Sequence, residues 1–291
     1  MNNPLDFSGR VVLVTGGTRG IGRGIAARYA EAGAAVVVCG RTPPEAGPAD
    51  DGAGDHVPAE GASGDDAPEF IACDVRDPDQ VDDLVGQVVA RHGRLDVAVS
   101  NAGGAPAAEA ATASPRFTEA IVRLNLLGPA FVAQAAYRAM RDNPPLPAGG
   151  RGDGVEAGTG VIVNIASVSG IRPSPGAAAY GAAKAGLLNL TETLAVEWAP
   201  AVRVNAVVAG LVATEQAHLH YGDEEAMSRV AQTVPMGRFG RPSDVADACL
   251  VLSSGLTPYV TGAALVVHGG GERPAYLGAV DRDHRGRGEL G

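Results

Sequence analysis

Short apolar runs alternate with longer amphipathic ones from Arg10 to Gly271, and that rhythm predicts the architecture. RVVLVTG, Arg10 to Gly16, is apolar on both faces, as a strand in the middle of a parallel sheet must be. A glycine-rich turn follows, and RGIAARYAEAG then carries helical spacing closed by Gly33. AAVVVCGRT reads as a second strand, FIACDV (Phe70 to Val75) as a third and LDVAVSNAGG (Leu95 to Gly104) as a fourth. Between the last two, Val81, Leu84, Val85, Val88 and Val89 mark a helix with Asp77 or Asp79 near its start. Ala111 to Met140 predicts helix in two pieces, with Asn125 inside the second. VIVNIAS is the fifth strand, and Ala183, Leu187, Leu190, Leu194 and Trp198 give the next helix its buried stripe. VRVNAVVAG (Val202 to Gly210) is the sixth strand, and Leu211 to Arg241 reads as a lid containing the short helix DEEAMSRVAQTV. A helix from about Ser243 and the strand GAALVVHGGG close the pattern. Such alternation predicts an α/β fold: one domain over 1–291, a Rossmann-like doubly wound parallel sheet of about seven strands, helices on both faces.

Two stretches break the rhythm. Thr42 to Glu69 is Pro, Gly, Ala and Asp with a single large aliphatic residue, Val57, too little apolar surface to order itself. It is expected to be a flexible insertion replacing most of a helix, and Arg141 to Thr159 to be a second polar insertion. The tail, 272–291, is charged and expected to be loosely ordered.

Composition narrows the class. The 291 residues are 45% hydrophobic and carry a net charge of −10, which argues against nucleic acid or anionic membrane as partners. Eight acids and no Lys or Arg lie in Thr42 to Glu69, so the rest of the chain is at −2. The acidity belongs to one segment. MNNPLDFSGR lacks the plan of a signal peptide, and no apolar run reaches membrane-spanning length. Cys39, Cys73 and Cys249 have no metal-ligand spacing and read as reduced, buried small hydrophobes in a cytoplasmic protein. His218 and His220, two apart in the lid, suit a metal poorly and read as solvated; no metal is expected. Met236 and Phe239 read as lid packing, and Trp198 as core.

Candidate chemistry gathers at the strand ends. TGGTRGIG, Thr15 to Gly22, lies between strand and helix, the context a dinucleotide-binding loop needs. Its glycines, Gly16, Gly20 and Gly22, would let the backbone approach a diphosphate at the helix N-terminus. NAD-binding folds place an acid near the end of the second strand for the ribose 2′-hydroxyl. Here Gly40 stands there, followed by Arg41, and Arg19 lies within the loop; both guanidiniums suit a 2′-phosphate, hence NADP(H). Asp74, closing the third strand, could meet an adenine amino group. Farther on, Tyr180 and Lys184 are four apart and share a helix face. The ammonium is expected to pull the phenol below its usual pKa, making a proton donor, and Ser167, thirteen residues before Tyr180, could bind the same carbonyl oxygen. Asn125, among Leu124, Leu126 and Leu127, should be partly buried and partnered.

From Ser8 to Gly271 the chain resembles the short-chain dehydrogenase/reductase family, specifically its NADP-using ketoreductases. TGGTRGIG, the aspartate of CDV, NAG at Asn101 to Gly103, Asn125, and the Ser167, Tyr180, Lys184 set carry the resemblance. It implies a catalytic tetrad: Tyr180 exchanges the proton, Ser167 polarises the carbonyl, Lys184 lowers the tyrosine pKa and holds the nicotinamide ribose, and Asn125 keeps a proton-relaying water. It also implies cofactor contacts from Gly16, Thr18, Arg19, Gly20, Ile21, Gly22, Arg41, Asp74, Val75, Asn101, Ala102, Gly103, Gly210, Val212 and Thr214. Ala209 stands where the family usually has proline, which implies a looser turn, and HGGG replaces an acid-Gly-Gly ending. The implied activity is reversible NADPH-dependent reduction of a ketone or β-keto group on a hydrophobic substrate, in a homotetramer or homodimer. Pocket walls are expected from Gly104 to Ala108, Val168 to Ala177 and the lid. An NAD-dependent secondary alcohol dehydrogenase and a non-catalytic dinucleotide sensor or scaffold are the alternatives.

Overall fold

A computed structural model describes residues 3–43, 67–145 and 159–274. The two polar insertions and the tail expected from the sequence lie largely outside these residues. Seven parallel strands form one sheet in the order β3-β2-β1-β4-β5-β6-β7. They are β1 Val11–Thr15, β2 Ala35–Gly40, β3 Glu69–Ala72, β4 Val97–Ser100, β5 Gly160–Ser167, β6 Val202–Ala209 and β7 Ala264–Val267. β1 lies inside the sheet between β2 and β4, and all five of its residues are buried. Its alternation divides the core: Val11 and Leu13 join one cluster, Val12 and Val14 the other.

The first cluster is covered by α2 (Pro78–His92), α4 (Gly128–Asp142) and α5 (Ala178–Trp198); the second by α1 (Gly20–Glu31) and α8 (Pro242–Ser253). α2 begins where its side-chain chemistry dictates. Asp77 accepts from the Asp79 and Gln80 N–H groups at 3.1 and 3.5 Å, and Gly93 ends the helix at φ 76°. Of the expected stripe on α5, Ala183, Leu187 and Leu194 are buried, while Leu190 and Trp198 pack partly buried against the core. Trp198 stacks on Tyr137 of α4 with centroids 4.5 Å apart.

Three boundaries differ from the sequence expectation. β3 stops at Ala72, so Asp74 lies past the strand rather than on its end. α3 (Pro115–Val122) starts at Pro115 instead of Ala111, because Ser114 caps it by accepting from the Phe117 N–H at 3.2 Å. Asn125 falls not within the second helix but in a π-turn, Arg123–Leu127, that joins α3 to α4. Pro129 explains the turn, since it has no N–H to give the carbonyl four residues back, which is that of Asn125. The lid holds two short helices, α6 (His218–Tyr221) and α7 (Glu224–Ala231). Parallel strands bring the ends of β1, β2, β4, β5 and β6 to one edge of the sheet, and strand order reverses between β1 and β4. That edge is where a doubly wound sheet holds its ligand.

Candidate active site

The turn after β1 is built for close approach. Gly16 and Gly20 have φ of 64° and 52°, and a Cβ on Gly22 would sit 2.1 Å from the Gly16 carbonyl oxygen. Asn101 ties this turn to the end of β4: its Nδ2 donates to the Thr15 and Gly16 carbonyls at 3.0 and 3.2 Å. The Thr15 hydroxyl in turn accepts from the Asn101 and Ala102 N–H groups at 3.0 and 3.1 Å. The side chain of Asn101 therefore shapes the loop instead of facing outward. This cradle, with α1 starting at its rim and no side-chain cap from Arg19, fits a dinucleotide diphosphate.

Around the cradle, Arg19 and Arg41 are exposed, and Gly40 lies against Thr18. Val75 is buried under Gly128. Asp74 accepts from the Arg76 guanidinium at 2.9, 3.1 and 2.5 Å, and that pairing holds its carboxyl below the usual range. Its carboxylate thus already has a partner before any adenine contact. After β6, Gly210 donates to the Val267 carbonyl at 2.9 Å, Val212 bridges to Gly240, and Thr214 comes within reach of Gly20. Those bonds pin the turn that Ala209, in place of proline, was expected to loosen.

At the end of β5 the structure brings Ser167, Tyr180 and Lys184 together. The Ser167 hydroxyl lies close enough to the Tyr180 phenol to favour its ionised form, and it accepts from the Ser169 N–H at 3.2 Å. The Lys184 ammonium lies 5.7 Å from the Tyr180 ring centroid and donates to the Ile165 carbonyl at 2.8 Å. Burial lowers the Lys184 pKa to about 8. The Tyr180 phenol moves opposite to the expected direction: burial pushes it up, and the neighbouring Ser167 hydroxyl only partly opposes this. Asn125 is fully buried and closes on the neighbouring turn, accepting from the Gly104 N–H and donating to the Gly104 and Ile121 carbonyls, each at 2.9 Å. Its side chain is thus bound into the scaffold rather than open to a water. A Cβ on Gly103 would touch both Asn125 Oδ1 and Lys184 Nζ, so these groups converge behind Tyr180.

Beside Tyr180 opens a cavity of about 140 Å³, walled by small residues such as Ala105, Pro106 and Gly176 and by Phe117 and Ile121 of α3. The α3 wall is absent from the sequence reading, because nothing in Phe117 or Ile121 distinguishes a pocket wall from core. Two lid residues were also missed. Tyr221 packs on Phe239 with centroids 5.1 Å apart, and burial pushes its phenol up, while Glu215 reaches back to the glycine turn. Tyr221, one of two aromatics in the lid, offered that much as a signal; Glu215 had none. Phe239 is buried as expected, but Met236 is exposed. His218 is exposed, and no metal-holding cluster occurs among the described residues. The three cysteines are free and buried, and no described helix is long and apolar enough to cross a membrane.

A family model described as enoyl-(acyl carrier protein) reductase matches residues 16–272. A 3-oxoacyl-(acyl-carrier-protein) reductase of Thermotoga maritima is 34% identical, covering 91% of this chain and 98% of its own. A cis-4-hydroxycyclohexanecarboxylate dehydrogenase of Sinomonas cyclohexanicum is 36% identical, covering 91% and 97%. Among solved structures, the ligand-free aldohexose dehydrogenase of Thermoplasma acidophilum superposes with a TM-score of 0.75 at 29% identity, covering 91% and 94%.

Proposed function

The chain belongs to the short-chain dehydrogenase/reductase family, and on that premise we propose that it is an NADPH-dependent reductase of ketones or β-keto groups. The observation that carries the reading is the Ser167–Tyr180 hydroxyl pair, backed by Lys184, at the mouth of an apolar cavity beside the glycine cradle. Bound nicotinamide would supply the hydride. Tyr180 gives its proton to the carbonyl oxygen, and Ser167 donates a hydrogen bond to the same atom. Lys184, which donates to the Ile165 carbonyl, would also take the ribose hydroxyls. Asn125 keeps the Gly103–Gly104 turn and the lysine in register. The apolar walls favour a hydrophobic carbonyl compound, in keeping with the 3-oxoacyl group named for one relative and the cyclohexane ring of the 4-hydroxycyclohexanecarboxylate named for another. Three reduced cysteines suit a cytoplasmic setting.

Initial rates of NADPH and NADH oxidation against a panel of ketones and 3-oxoacyl thioesters test this reading. No turnover with any carbonyl, alongside intact dinucleotide binding, would favour the sensor alternative. Cofactor choice rests on Gly40, Arg41 and Arg19. Gly40→Asp combined with Arg41→Ala should move the NADPH/NADH ratio of kcat/KM toward NADH by roughly tenfold or more, since the carboxylate accepts from a ribose hydroxyl and repels a 2′-phosphate. The new Cβ would lie 3.3 Å from Thr18 Cγ2, a tight contact that a shift of the Thr18 side chain by a few tenths of an ångström relieves. A wild type that already uses NADH as well as NADPH would defeat the arginine assignment.

We also propose a homotetramer, with α4–α5 and α8–β7 as its contact faces. β7 is an edge strand with Leu265 and Val266 each 39% exposed, and Val196 at the end of α5 and Tyr259 beside α8 are more exposed still. Apolar side chains on an open edge call for a cover. Light scattering at micromolar concentration should give a mass of four chains; a dimer would leave only one of the two faces in use, and a monomer would contradict both.

A further inference from the structure

Glu215 follows Thr214 on the segment after β6, yet its carboxylate lies on the glycine turn. Its oxygens are 3.3 and 3.1 Å from the Gly20 N–H, the first amide of α1, and it forms an ion pair with Arg23 in the next part of the same helix. α1 has no side-chain cap from Arg19 and no acid in its own first turn. A carboxylate from a distant part of the chain therefore takes the position that a helix N-terminus offers to an anion. The adjoining amides are those assigned above to the cofactor diphosphate.

We propose that Glu215 is an internal counter-anion for the diphosphate site, exchanged for the cofactor's own diphosphate on binding. The exchange frees Glu215 and the lid segment that follows it, 215–217, from the glycine turn, so cofactor entry and movement of the lid base are one event. The inference rests on the dinucleotide reading of the cradle. Two anions in one helix turn repel, and both compete for the helix dipole and for Arg23. The Arg23 and Glu215 side chains are 29% and 32% exposed, so water can take over the carboxylate when it leaves. Thr214 remains where the nicotinamide end of the cofactor needs it, because Val212 and Ala213 stay bonded to Gly240.

Glu215→Gln keeps the shape and can still accept from the Gly20 N–H, but it removes the competing charge. Titration with NADPH, followed by the change in nucleotide fluorescence, should give a Kd about fivefold lower than wild type, with the difference shrinking in half-molar salt. Arg23→Gln, which leaves Glu215 as an uncompensated charge beside the diphosphate, should raise the Kd instead. Equal or weaker NADPH binding by Glu215→Gln, at an unchanged Tm, would overturn the proposal and make Glu215 a strut. If that variant is destabilised, a crystal structure of the wild type with NADPH decides: a carboxylate still on the Gly20 amide overturns the exchange. Failure of both wild type and variants to bind NADPH or NADH is a different result, and it sinks the dinucleotide reading beneath.

Discussion

Tyr180→Phe will abolish carbonyl reduction while leaving NADPH affinity within about twofold of wild type. General-acid groups contribute about 10²–10⁴ in rate, and the substitution removes only the atom that carries the proton. The rest of the site should stay in place. The ring keeps its packing, Lys184 keeps its bond to the Ile165 carbonyl, and Ser167 keeps the Ser169 N–H as a partner. Burial raises the Tyr180 pKa, so the phenol is protonated across the neutral range and ready to donate. Turnover and NADPH titration on the same preparation check this. Retained turnover within about tenfold of wild type would remove Tyr180 from the general-acid role, whereas loss of cofactor binding would mean the hydroxyl supports the fold.

Much of this site was legible because it lies on regular elements. Ser167 ends a strand, Tyr180 and Lys184 are one helical turn apart, and both relations survive whatever surrounds them. The direction of the Tyr180 shift was not legible, since it depends on how much apolar protein closes over the phenol, which spacing does not reveal. Asn125 shows the same limit. RLNLL reads as ordinary helix, and only the meeting of Pro129 with the carbonyl four residues earlier, together with the demand of Gly104 for partners, makes it a π-turn. The helix cap at Asp77 was readable, while the start of α3 slipped by four residues because Ala111 continues a helix-favouring composition and Ser114 interrupts it. Glu215 and Tyr221 come from the lid, where no periodicity fixes position, so their approach to the glycine turn and to Tyr180 is a property of tertiary structure alone.

Gly22→Ala should remove dinucleotide binding with only a modest loss of stability. The methyl group would stand 2.1 Å from the Gly16 carbonyl oxygen and 2.4 Å from Asn101 Nδ2, distances at which backbone must move. α1 cannot retreat far, because its opposite face packs against α8 and Gly24 lies against Pro242. The glycine turn is therefore the part that gives. Displacing Gly16 breaks the bonds from Asn101 to the Thr15 and Gly16 carbonyls, which align the cradle with the end of β4. Overpacking of this kind costs about 1–3 kcal/mol, or at most about 10 °C in Tm for a chain of this size. Helical propensity runs the other way, alanine being favoured over glycine by about 1 kcal/mol, so the net change is smaller still. Cofactor affinity has no such offset, since the amides that would hold the diphosphate are the ones displaced. The expected result is a Kd for NADPH raised by more than tenfold with a cooperative thermal transition retained. Unchanged affinity would show that the diphosphate is held elsewhere, and the glycine turn would then be only the tight connection between β1 and α1.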